Sequence, residues 1–195
     1  MGGKAKHRTA GAAGWREPLL IVDVQRGFLN QHTDHIPGRV ARLIAGGDFD
    51  PVLFTRFENP SGGPYHRFLD WHECVGPPDT DLAPALARHA RPERVFSKPG
   101  YAGLPDELVE RLHHHGVERV TIVGIDTDMC VLKVALDCFD MNIEPIVLVD
   151  CCASTAGLQA HLAGLAVLSR NIGPEQLHDA GMGKGRLAAP IKGRD

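Results

Sequence analysis

Residues Arg119–Met141 read RVTIVGIDTDMCVLKVALDCFDM. The opening RVTIVGI is rich in β-branched residues and carries one charge, the composition of a strand covered on both faces. From about Asp128 to Met141 the apolar residues fall into helical spacing. A buried strand running straight into a helix is half of a β-α-β unit, and the same alternation extends outward in both directions. Leu19–Val24 (LLIVDV), Pro51–Arg56 (PVLFTR), Arg94–Ser97 (RVFS) and Glu144–Asp150 (EPIVLVD) are further short strand-like runs. Helix patterns lie between them at about His35–Ala45, Asp81–His89, Pro105–His115 and Ala156–Ser169. Pro105 suits a first helical turn, and Gly116 follows a last one. Such alternation predicts an α/β domain, a mostly parallel sheet with helices on both faces. Its ligand crevice is expected at the carboxyl ends of the strands.

The chain has 195 residues, 43% of them apolar and 23% charged, which suits one soluble globular domain and excludes a disordered chain. The net charge of −3 provides no basic field for nucleic acid or an anionic membrane. Residues 1–17 and the basic stretch 181–195 are expected to be flexible tails around a domain spanning 18–180. Five cysteines in a chain of this length are too few and too scattered for a disulfide scaffold, so a reducing, cytoplasmic setting is expected. The first residues lack the apolar core of a signal peptide. The uncharged run Cys151–Ser169 is interrupted by polar residues and reads as a buried helix, not a membrane span.

One connection is unusually long. Phe57–Thr80 carries four prolines, three glycines and the rings of Tyr65, His66, Phe68, Trp71 and His72. A loop this long is functional or mobile, and this one reads equally as a pocket lid or as a meander packed on the body or on another subunit.

Three reactive groups follow three strands: Asp23, Lys98 and Cys130. Alone, each has an ordinary reading as a cap, a solvated cation or a small hydrophobe. Together they suggest nucleophilic catalysis. A thiol becomes reactive as a thiolate, which a cation or a helix N-terminus favours. Thr127 or Asp128 would cap the helix and leave backbone N–H groups aimed at the crevice. Such donors suit the oxyanion formed when sulfur attacks a carbonyl. Asp23 would take the thiol proton and return it to the leaving group.

At these residues the chain resembles the isochorismatase-like cysteine hydrolases, which include nicotinamidases and N-carbamoyl amidohydrolases. The matching pieces are DVQRGF at Asp23–Phe28, FSKPGY at Phe96–Tyr101, GIDTDMCV at Gly124–Val131 and DCCASTAGLQAH at Asp150–His161. They come in the family's order and cover about Leu19 to Gly173. The resemblance implies a three-layer α-β-α sandwich around a six-stranded, mostly parallel, Rossmann-like sheet. It implies an Asp23–Lys98–Cys130 triad and a cis peptide at Ile125–Asp126, with the N–H groups of Asp126 and Cys130 as the oxyanion site.

Two departures bear on chemistry. Nicotinamidases of this family carry an Asp-x-His metal motif after the second strand. Here that stretch is TRFENP, Thr55–Pro60, with Phe57 in place of the Asp and Asn59 in place of the His. Phe cannot ligate a metal and Asn is a poor zinc ligand, so no metal and no other cofactor is expected. Asp126 stands where small residues are common, and a second carboxylate beside an oxyanion is unfavourable unless it points away or meets a donor on the substrate.

Pocket residues are expected among Phe28, Phe57, Trp71 and Tyr101; Trp71 serves equally as a subunit contact. Gln25 either orients a substrate or makes a structural hydrogen bond. His66, His72 and Cys74 lack zinc-site spacing, Cys138 reads as core, and His161 as a satisfied helix histidine. The expected activity is a metal-independent cysteine hydrolase cleaving a small carboxamide or N-carbamoyl compound, in a homo-oligomer (dimer or tetramer). The alternatives are a non-catalytic binding or assembly subunit of the same fold, and a zinc-dependent nicotinamidase with non-standard ligands.

Overall fold

The computed structural model describes residues 14–101 and 103–181. Six parallel strands run in the order β3-β2-β1-β4-β5-β6. They are β1 (Leu19–Val22), β2 (Val52–Glu58), β3 (Val95–Pro99), β4 (Arg119–Ile125), β5 (Glu144–Ala153) and β6 (Leu177–His178). The helices are α1 (Ile36–Gly46), α2 (Pro64–Leu69), α3 (Pro84–Ala87), α4 (Asp106–His114), α5 (Leu132–Asp140) and α6 (Leu158–Ile172).

The strand alternation divides the core. Leu20, Val22 and Ile122 point to one face, where α4, α5 and α6 cover them with Leu112, Val134 and Leu168. Leu19, Ile21 and Val123 point to the other, beneath Ile36 and Val40 of α1 and Leu86 of α3. Both faces are buried, hence the continuous apolar runs in β1 and β4. Gly124 is required where these two strands meet. Its φ is +136°, and a Cβ there would lie 2.1 Å from the Val22 carbonyl oxygen.

The order reverses between β1 and β4, so the crevice outside their carboxyl ends is the switch point at which open α/β sheets bind ligands. Asp23 follows β1 directly, and the segment leading to Cys130 follows β4.

Several expectations need correction. The helix expected over Asp81–His89 is only Pro84–Ala87, beginning at the proline. The helix expected from Asp128 opens instead with a π-helical turn, Thr127–Val131, before α5. The long connection contains α2, also started by a proline. The fold begins before residue 18. Trp15 packs on the core and stacks on His115 at 4.4 Å, and Glu17 bridges to Asp50. The remainder of the expected tails, 1–13 and 182–195, lies outside the described residues. Among the described residues no helix is long and apolar enough to cross a membrane.

Candidate active site

Asp23 leaves the end of β1 in the left-handed region, with φ of +50°, and is fully buried. This turn is held from β2. The Thr55 hydroxyl donates to Asp23 Oδ1 at 2.6 Å and accepts the Asp23 N–H at 3.2 Å. Two residues on, Gln25 makes a two-pronged clamp. Its Nε2 donates to the Phe57 carbonyl at 2.9 Å, and its Oε1 accepts the Phe57 N–H at 2.7 Å. Gln25 is fully buried and lies outside the lining of the cavity described below, so its place is structural and not against a substrate.

Lys98 reaches the same point from β3, where it pairs with Phe57 of β2. Its Nζ lies 2.8 Å from Asp23 Oδ2 and 3.6 Å from Cys130 Sγ, and approaches the Gly100 carbonyl at 3.5 Å. Lys98 is 1% exposed and Cys130 8%. Burial works against the ammonium, but the Asp23 carboxylate and the Cys130 sulfur outweigh it and hold Lys98 above its ordinary value.

The thiol behaves differently from the sequence expectation. Burial, reinforced by the Asp23 carboxylate, pushes Cys130 well above the ordinary thiol range, and Lys98 offsets only part of this. Burial thus favours the thiol over the thiolate beside the Asp23–Lys98 pair. The sequence showed the cation and the helix start but not the depth of burial.

The peptide Ile125–Asp126 is cis. The π-helical turn that follows is wide. The Asp126 carbonyl accepts the N–H groups of Met129 at 3.2 Å and of Val131 at 2.9 Å, passing over that of Cys130. The turn is backed by α6, whose Gly164 packs against it so closely that a Cβ would lie 2.7 Å from the Asp128 nitrogen. The Thr127 hydroxyl bonds Nδ1 of His161, also on α6, at 2.8 Å, and burial holds His161 below its ordinary value. His161 is thus a satisfied histidine supporting the turn.

The Asp126 side chain is tied down. Oδ1 accepts the Thr155 N–H at 2.5 Å and Oδ2 accepts the Thr155 hydroxyl at 2.9 Å. Burial raises the carboxyl from 3.8 to about 6 despite these two donors, with Asp128 and Asp23 adding to the rise.

Cys130 and Asp126 border a cavity of about 310 Å³. Phe28, Phe57, Trp71 and Tyr101 all line it, joined by Tyr65 from α2. The rings pack on one another, with Phe57–Tyr65 edge-on at 5.3 Å and Phe28–Trp71 near-parallel at 6.4 Å. Tyr65 and Thr155 are site residues that sequence reasoning missed. Tyr65 had a signal in the aromatic density of the long loop; Thr155 had only its place within the stretch DCCASTAGLQAH, Asp150–His161.

The residues at the expected metal motif do not fit a metal. Phe57 is 3% exposed within the ring cluster. The Asn59 amide nitrogen is committed to the carbonyls of Trp71 at 3.1 Å and Glu73 at 2.9 Å, closing the loop onto β2. Cys74 is buried against Phe57 and Tyr65. The rings of His66 and His72 lie 4.5 Å apart, with His72 bonded to Asp70. Among the described residues, no three His, Cys, Asp or Glu side chains converge as a metal site would require.

Comparison with known proteins agrees with this architecture. Residues 17–176 match the model of the isochorismatase domain. The chain is 33% identical over 166 residues to the nicotinamidase/pyrazinamidase of Mycobacterium tuberculosis, covering 73% of this chain and 87% of that protein. An isochorismatase-like hydrolase from Alkaliphilus metalliredigens superposes with a TM-score of 0.69 at 21% identity, covering 80% of this chain and 92% of that one. The N-carbamoylsarcosine amidase of Thermoplasma acidophilum gives 0.65 at 19% identity, covering 81% and 93%. The two structural likenesses show the fold, and the domain match and the mycobacterial relative show kinship in sequence: the chain is a hydrolase of the isochorismatase family.

Proposed function

We propose that this hydrolase, which acts on C–N bonds other than peptide bonds, cleaves a small carboxamide or N-carbamoyl compound through a Cys130 thioester, without a metal. One observation carries the reading: a buried ammonium, Lys98, stands 2.8 Å from the Asp23 carboxylate and 3.6 Å from the sulfur of Cys130, which lines the cavity.

Because burial and the Asp23 carboxylate favour the thiol, attack is coupled to proton removal. Asp23 Oδ2 is buried and takes Lys98 at 2.8 Å, and its second lone pair is available for the thiol proton. The proton passes from Sγ to Asp23 as the C–S bond forms, and Lys98 steadies the developing thiolate. The carbonyl π electrons move to oxygen. The Cys130 N–H, which the π-helical turn leaves outside its bonds to Asp126, and the Asp126 N–H serve as donors to that oxyanion. As the intermediate collapses, the C–N bond breaks and Asp23 passes its proton to the departing nitrogen, releasing ammonia or an amine. Water then attacks the thioester, giving up a proton to Asp23. The C–S bond breaks, the acid product leaves, and the proton returns to sulfur. Thr55 holds the carboxylate in position throughout.

The aromatic lining receives the remainder of the substrate, with Phe28, Phe57, Trp71 and Tyr101 as binding residues. A screen for ammonia release from a library of primary carboxamides and N-carbamoyl compounds tests the reading. Turnover that is lost in Cys130→Ala supports it. Absence of turnover with every amide, together with tight reversible binding of one of them, favours a binding subunit instead.

A further inference from the structure

Among the described residues, the charged side chains that line the cavity are of one sign. They are the carboxylates of Glu73 and Asp126, and no described Lys or Arg lines it. The Lys98 ammonium is buried beneath the floor and already paired with Asp23. No described residue of the wall could therefore neutralise an anionic substituent on a bound amide. A carboxylate entering there would be desolvated against aromatic rings and face like charges.

The same wall suits the opposite charge. Phe28, Phe57, Tyr65, Trp71 and Tyr101 present ring surface to one small space, and ring faces attract cations, most strongly those that shed water easily. Asp126 adds a fixed acceptor. Thr155 bonds each of its oxygens once, so the carboxylate cannot swing away, while each oxygen keeps a further lone pair to accept with. Glu73 is solvent-exposed, at the open edge of the same wall. This also accounts for a carboxylate beside the oxyanion donors: unfavourable for a neutral or anionic amide, it is compensated by a positive charge on the substrate.

We infer that the cavity selects a carboxamide whose non-reacting part carries a cationic nitrogen, and discriminates against amides bearing a carboxylate. Asp126 and the aromatic wall set this preference, and Glu73 contributes at the edge. The inference rests on the cavity being the substrate site of the proposed hydrolase.

Three amides of similar size isolate the charge: (trimethylammonio)acetamide, its neutral carbon isostere 3,3-dimethylbutanamide, and succinamate. Their binding to the Cys130→Ala protein, followed by calorimetry or Trp71 fluorescence, does not depend on turnover. The ammonium amide is expected to bind about tenfold or more tighter than its neutral isostere, with succinamate weakest. In the Asp126→Asn/Glu73→Gln double variant the cation-to-neutral ratio should fall severalfold, leaving only the part that the rings supply. Equal or tighter binding of the neutral amide or succinamate, or no binding of the ammonium amide, overturns the inference. The hydrolase reading is judged separately, by ammonia release from the wild-type protein across the wider library. Release without a preference for the cation removes only the charge inference, whereas charge-ordered binding without release from any amide removes only the hydrolysis.

Discussion

The Thr55 hydroxyl donates to one oxygen of Asp23 at 2.6 Å while Lys98 takes the other at 2.8 Å, so the carboxylate is held from β2 and β3 at once. Thr55→Val keeps the shape and removes the hydroxyl. Activity should fall about tenfold, mainly in kcat, with a loss of about 1–3 kcal/mol in stability for the buried oxygen left without its donor. Thr55→Ser should restore both. Steady-state kinetics and urea unfolding of the two variants check this; unchanged kcat in Thr55→Val would mean that Asp23 needs no such support.

Lys98→Met removes the cation while keeping much of the side-chain volume. The Cys130 thiol, already raised by burial and by Asp23, should move higher still because its one favourable neighbour is gone. Alkylation rate against pH, read by mass spectrometry on the Cys130 peptide, measures this, and an unchanged or lowered value would contradict the arrangement. The unpaired Asp23 should also destabilise the fold by about 3–5 kcal/mol, much of it recovered in Asp23→Asn/Lys98→Met.

Asp126 makes stability depend on pH. Its carboxyl is raised to about 6, first by burial, so the folded protein holds this proton more tightly than the unfolded chain, where Asp titrates near 3.9. The stability contributed is fully present below about pH 4 and lost as pH rises through about 6. Asp126→Asn can keep both bonds to Thr155 and abolishes the titration. The difference in unfolding free energy between wild type and variant should drift by about 2–3 kcal/mol from pH 4 to pH 7, with the wild type losing ground. A difference that stays flat would mean that the carboxyl titrates normally.

Much of this was legible in the chain because burial on both faces writes itself into composition. The run LLIV is apolar throughout and RVTIVGI is mostly so, and they are β1 and β4, the two strands flanking the switch point. Asp23, Lys98 and Cys130 were visible as reactive types at strand ends. What stayed hidden depends on contacts between residues far apart in sequence. Gln25 clamps Phe57 from 32 residues away, and neither residue type announces such a bond. Thr55 reads as an ordinary strand former. β6, at two residues, is too short to show a period. The direction of the Cys130 shift was missed because a neighbouring Lys can be inferred from motifs, whereas near-complete burial is a property of the packed whole.

Chelation should leave activity unchanged, since Phe57 and Asn59 are committed to packing and loop closure. Prolonged dialysis against a strong chelator, with metal content followed alongside turnover, is the check. A stoichiometric metal lost together with activity would assign ligands outside the motif, with His66 and His72 the first to substitute.

The central claim is that the Cys130 sulfur forms the covalent bond to substrate, and Cys130→Ser tests it by changing one atom. A serine hydroxyl is a far poorer nucleophile at neutral pH, and the Asp23–Lys98 pair is set to take a proton from a thiol. With an amide that the wild-type protein hydrolyses, kcat should drop by about a thousandfold or more, ~4 kcal/mol in the barrier. The urea midpoint should shift little. Turnover by Cys130→Ser within about tenfold of wild type, ~1.4 kcal/mol, would contradict the account.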